Sequence, residues 1–247
     1  MSVTLSSIVA KSLTGSQASG QAANDRVTQA FQKADKRIQQ QRDLTAVQLS
    51  SFGKLKSTFA DAQTAASGLG NVKQANNDAD VRKLAGNFVK AFNSAVQTSR
   101  SVATQTGTPG ESNRARASET DLRRSVNTDT TSAELRKIGI TRQANGTLAI
   151  DSKVFDTALS VEPEAVRSAL SRVGQQVSRT TTSQLADGGN IGKAVNALSD
   201  RARTLETRQA EQQALATSGQ QNITAQTNRF ATSLNSGAAA YERIFST

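Results

Sequence analysis

Three residue types are missing: the 247-residue chain contains no cysteine, no histidine and no tryptophan. Without cysteine there are no disulfides, so cysteine pairing says nothing about compartment. Without cysteine and histidine together there is no conventional zinc site and no Cys- or His-based catalysis. Aromatics make up 4% and apolar residues 36% of the chain. A thick globular core needs more large apolar side chains. A narrow core between long helices needs fewer, because each helix buries only a stripe. No apolar run approaches the roughly 20 residues that span a membrane. The opening stretch, MSVTLSSIVAKSLTGSQASGQ, lacks a basic segment followed by a solid apolar block, so it does not read as a cleaved signal peptide. Its Ser, Gly and Gln content predicts a disordered arm over residues 1–23.

Catalytic patterns are missing too. There is no GxGxxG and no P-loop. Serines and threonines abound, but no histidine can activate them and nothing singles out a Ser–Lys pair. Glu162 and Glu164 flank Pro163 at a predicted helix start, where they favour the helix dipole. Asp151 follows a predicted strand and reads as a helix cap rather than a metal ligand. The sequence therefore predicts no enzyme, no cofactor and no metal.

Net charge is +10, a balance that can indicate nucleic acid. Here the bases lie among acids: Arg114, Arg116, Arg123 and Arg124 sit beside Glu111, Glu119 and Asp121. No aromatic residues are interleaved to stack on bases. The pattern reads as a mildly basic surface, and a basic coiled coil that binds nucleic acid stands as an alternative.

What the chain does contain is two heptad arrays. Val27, Phe31, Ala34, Ile38, Gln41, Thr45, Gln48, Phe52, Leu55, Phe59, Ala62, Ala66 and Leu69 alternate steps of four and three. This predicts a helix over 24–69 with one face toward a partner helix. Near the other end, Ile191, Val195, Leu198, Ala202, Leu205, Gln209, Gln212, Ala216, Gly219, Ile223, Gln226 and Phe230 repeat the pattern and predict a helix over 190–234. Both seams have apolar ends and an amide-rich middle. Matching them antiparallel sets Val27 level with Leu234, Gln48 near Gln213 and Gln41 near Gln220. Amides in a seam either fix register or mark a weak, hydrated seam.

Between the arrays, Asp78 reads as the cap of a helix carrying Val81, Leu84, Ala85, Phe88, Val89, Phe92, Ala95 and Val96. Pro109-Gly110 marks a turn within a loop over 106–113. One or two short helices with sparse anchors follow over 114–138. Ile140 to Gln143 and Thr147 to Ile150 flank Asn145-Gly146, which predicts a hairpin with a tight turn. Leu148 and Ile150 are expected to face the helices that follow. Asp151 caps a short helix, and Pro163 opens the next at its first turn.

This order of elements resembles the flagellar filament cap family, hook-associated protein 2. Leu49 to Leu69, LSSFGKLKSTFADAQTAASGL, is similar to the family's N-terminal helix. Phe88 to Asn93 resembles its FVxAYN signature. Ile138-Gly139-Ile140-Thr141 with Asn145-Gly146-Thr147-Leu148-Ala149-Ile150-Asp151 resembles its "GI…DGTLxLD" hairpin. Arg229 to Ser236 followed by Tyr241 resembles its C-terminal end. Caps of this family insert large β-rich domains between the first helix and the FVxAYN helix; here only Gly70 to Asp80 separates the two. The resemblance thus implies a shortened cap without the outer domains.

The expected fold is mainly α: an elongated antiparallel helical bundle, or coiled coil, of the N- and C-terminal long helices with a small hairpin-containing segment. A disordered arm (1–23), a helical leg (24–235) with the hairpin at 138–151, and a flexible tail (236–247) make up the expected domains. Phe31, Ile38, Phe52, Leu55, Phe59, Leu198, Leu205, Ile223 and Phe230 are the expected coiled-coil seam. Ile8, Val9, Leu13, Tyr241, Ile244 and Phe245 are the expected assembly residues. The resemblance implies an extracellular flagellar subunit that forms a homo-oligomeric ring. Its implied partners are flagellin, hook–filament junction proteins and a type III export chaperone, with neither nucleic acid nor membrane. A generic helical scaffold or tail-assembly protein is the other alternative.

Overall fold

The computed structural model describes residues 5–72, 77–105 and 107–245. Among the described residues the chain is mainly α with one antiparallel hairpin. In order come α1 (Leu5–Gly70), α2 (Asp78–Gln105), α3 (Pro109–Ser125), α4 (Asp129–Lys137), β1 (Ile140–Arg142), β2 (Leu148–Ile150), α5 (Ser152–Val161), α6 (Pro163–Leu185) and α7 (Asn190–Phe245). Two compact units share the chain, one of Thr45–Arg201 and one of Met1–Leu44 with Ala202–Thr247.

Heptad spacing places Phe52, Leu55 and Phe59 of α1 on one face, and all three are fully buried in the Thr45–Arg201 unit. Phe88 and Phe92, one turn apart on α2, stack tilted at 6.0 Å between ring centroids. Leu122, Leu159, Leu170, Ile191 and Leu198 complete the same core from α3, α5, α6 and α7. Burial of each such side chain contributes about 1.5–3 kcal/mol before entropy is counted. α6 crosses α1 so closely that a Cβ on Gly174 would lie 2.6 Å from the Ala66 carbonyl oxygen. Ser171 Oγ donates to the Gly70 carbonyl at 2.5 Å at the same crossing.

Both long helices run further than the heptads suggest. α1 begins at Leu5, inside the stretch read as a disordered arm, and α7 continues to Phe245, beyond residue 234. No proline precedes Pro109, and Gly15 and Gly20 each penalise a helix by only about 1 kcal/mol, so propagation from an existing helix continues. At the other end Ala239 and Ala240 sustain α7 past Gly237.

Helix starts bring two corrections. Asn77, not Asp78, caps α2, its Oδ1 accepting from the Asp80 amide at 2.9 Å; Asp78 lies in the first turn and pairs with Arg167 at 3.2 Å. Pro109 lies at the first turn of α3 rather than in a loop reaching residue 113, because its fixed φ suits a helix N-terminus. Pro163 opens α6 in the same way, and Asp151 caps α5 through the amides of Lys153 and Val154.

Candidate assembly surfaces

The hairpin pairs Ile140 with Ile150, Thr141 with Ala149 and Arg142 with Leu148. Its turn is closed by the Gly146 amide donating to the Gln143 carbonyl at 2.8 Å, and only Gly146 takes a positive φ, +77°. Asn145 keeps a negative φ and uses its side chain instead, accepting from the Thr147 amide at 3.1 Å. This is a three-residue loop with glycine at the left-handed position, one of the common hairpin solutions. Leu148 is buried in the core and Ile150 packs against it, and the Leu148 backbone is bonded to α2, which precedes the hairpin. The Asn93 amide group donates to the Leu148 carbonyl at 2.8 Å and accepts from the Leu148 amide at 2.7 Å. One side chain on α2 thereby takes the place of a third strand beside β2.

Ion pairs fasten the surrounding helices. Arg82 of α2 meets Asp156 of α5 at 2.6 Å, and Arg172 of α6 meets Glu134 of α4 at 2.7 Å. The Asp156 hydrogen bond raises the Arg82 guanidinium above its ordinary range. Glu119 of α3 is mostly buried and accepts from Arg100 at 2.7 and 2.9 Å, with Arg123 at 3.4 Å. Buried carboxylates require such partners. Ser118, Asp121 and Asn190 all hydrogen-bond Gln184, joining α3, α6 and α7.

In the unit of Met1–Leu44 with Ala202–Thr247, α1 and α7 run antiparallel in a register different from the expected one. With Val27 level with Leu234, Phe31 would face Phe230. Instead the Phe31 carbonyl accepts from Gln212 Nε2 at 3.1 Å, and Asp35 accepts from Gln209 at 3.4 Å. Arg42 hydrogen-bonds Gln209 and pairs with Glu206 at 3.7 Å. Gln48 is buried in the other unit and donates to Thr108 Oγ1 at 3.3 Å, not to Gln213. Seam positions recur every three to four residues along both helices, so many slides set seam against seam, and the polar contacts of Arg42, Asp35 and Gln212 accompany the register adopted.

Of the nine expected seam residues, Phe52, Leu55, Phe59, Leu198 and Leu205 are buried. Phe31, Ile38 and Ile223 are half-buried. Phe230 is 53% exposed and lies in no buried seam. The expected assembly residues Ile8, Val9, Leu13, Tyr241, Ile244 and Phe245 fall on the backbone of α1 and α7, and their side chains lie outside the described residues. Asn93 escaped the sequence reading; its only signal there was its place at the end of the FVxAYN-like stretch.

Among the described residues there is no group of three or more potential metal ligands, and no helix is long and apolar enough to cross a membrane. Ion pairs and hydrogen bonds between elements fix the helices and the hairpin of the Thr45–Arg201 unit against one another, which makes it a helical module with a clasped hairpin. The chain belongs to the flagellar hook-associated protein 2 family: the model for the C-terminus of that protein matches residues 58–247. No curated protein matches the chain. Only residues 71–77 separate α1 from α2.

Proposed function

We propose that this protein is a structural subunit of the bacterial flagellum that oligomerises at the filament tip and aids flagellin assembly. The family match over residues 58–247 carries this reading. Export would proceed through the flagellar type III channel without a cleaved signal peptide, to an extracellular site. Flagellin, hook–filament junction proteins and an export chaperone are the partners this role requires. Subunit contacts fall to the ends of the two long helices. Ile8, Val9 and Leu13 supply one side, and Tyr241, Ile244 and Phe245 the other. Burying each such residue on assembly would contribute about 1.5–3 kcal/mol, less the ordering cost.

Electron microscopy of flagella from a strain lacking this gene tests the role. Short or absent filaments, with unassembled flagellin in the medium, are expected, and normal filaments with normal swimming would overturn it. Deletion of Tyr241 to Thr247 tests the surface separately. Helical circular dichroism should stay nearly intact while oligomers weaken. A truncated chain that assembles as the full chain does would remove the tail from the interface.

A further inference from the structure

α5 is a short helix with two apolar faces. Phe155 and Leu159 point into the core at 2% and 0% exposure. Val154, Ala158 and Val161, at i, i+4 and i+7, form a second stripe on which Val154 is 43% and Val161 72% exposed. A helix that is apolar on both sides is ordinarily covered on both. Here the second stripe lines an open groove of about 810 Å³ between α4, α5 and α6. Across the groove stand Ala165 and Ala169 of α6, small residues one turn apart that let another backbone come close. Such a groove, beside a helix of ten residues, has room for two to three turns of a docked helix.

Charge indicates which helix fits. Lys137 and Lys153 both line the groove, and neither has an ion-pair partner among the described residues. Of the two lining carboxylates, Glu134 is already held by Arg172 at 2.7 Å, and Glu162 lies at the far end of α5. The open rim at the lysine end is therefore basic. Copies of this chain meet through the ends of α1 and α7 in the role proposed, so the groove is left to another protein, and its basic rim favours acidic flanks on that protein.

We propose that this groove is a docking site for an amphipathic helix of another protein, one with an apolar i, i+4, i+7 stripe flanked by acidic residues. The valines and alanines receive the stripe, and Lys137 and Lys153 select acidic flanks and orient the helix.

The test uses the full chain and two synthetic helical peptides with the same leucine stripe, one flanked by glutamates and the other by lysines. Methyl NMR follows Val154, Ala158 and Val161, with exposed Val47 and Leu215 as references outside the groove. The glutamate peptide should shift the groove methyls alone and bind about tenfold more tightly than the lysine peptide. The double variant K137E/K153E should reverse that preference. Val161→Asp should abolish binding of both peptides while leaving thermal unfolding unchanged, because Val161 is already exposed. Absence of groove shifts, equal affinity for the two peptides, or equal shifts at Val47 and Leu215 would each overturn the proposal.

Discussion

Asn93 on α2 closes two hydrogen bonds with the backbone of Leu148 on β2, at 2.8 and 2.7 Å. A two-stranded sheet is marginal by itself, and this clasp ties the strand edge to a helix that is already fixed in the core by Phe88 and Phe92 on the same element. Asn93→Leu would strand a buried amide and a buried carbonyl, each costing about 1–3 kcal/mol. Urea unfolding should show a loss of about 2–4 kcal/mol, and Asn93→Asp, which keeps the acceptor but sets a carboxylate oxygen against the Leu148 carbonyl, should destabilise as well. An Asp variant as stable as the parent would argue against the clasp.

Gly174 and Gly53 form a matched pair. A Cβ at Gly174 would meet the backbone of α1, 2.6 Å from the Ala66 oxygen and 2.7 Å from the Leu69 carbonyl carbon, whereas one at Gly53 meets nothing within 4 Å. Gly174→Ala should destabilise by about 1–3 kcal/mol through overpacking. Gly53→Ala should stabilise by about 0.5–1 kcal/mol, because alanine suits a helix interior better. Thermal melts of both variants would reveal whether the α1–α6 crossing is as close as described.

At Gly146 two effects coincide, a φ of +77° and a Cβ position that would meet Arg123 Cδ at 2.9 Å. Gly146→Val should cost about 1–2 kcal/mol or more from backbone strain. Gly146→Asn separates the causes, since asparagine tolerates the left-handed region yet still crowds Arg123. If the Asn variant melts with the parent, Arg123 yields easily and strain dominates.

Register in the paired ends of α1 and α7 can be read by cross-linking, helped by the absence of native cysteine. Phe31→Cys with Gln212→Cys should join through a short bismaleimide. The pair Phe31→Cys with Phe230→Cys, suited to the expected register, should not. The reverse result would restore that register.

Local chemistry made much of this fold legible. Heptad spacing marks the two long helices, Asp151 and Pro163 mark the starts of α5 and α6, and Gly146 marks the turn, because each depends on a few neighbours in the chain. Family membership was legible for the same reason: the FVxAYN-like stretch and the hairpin are short runs in a fixed order. Helix ends were less so. Nothing local distinguishes a Ser- and Gln-rich arm from a helix propagated out of a neighbouring segment.

The sequence by itself determined where the central stretches of the long helices lie and which of their faces are apolar, since periodicity follows from 3.6 residues per turn. Only the tertiary structure decided how those faces meet. A repeating seam is nearly degenerate under translation, so the partners of Phe31, Gln48 and Arg42 depend on contacts between segments distant in the chain. The same holds for Asn93, which as a polar residue beside Phe92 looks like any solvent-facing position until β2 is folded against it. It holds also for α5, whose second apolar stripe becomes an open surface only because α4 and α6 leave a groove beside it instead of closing over it.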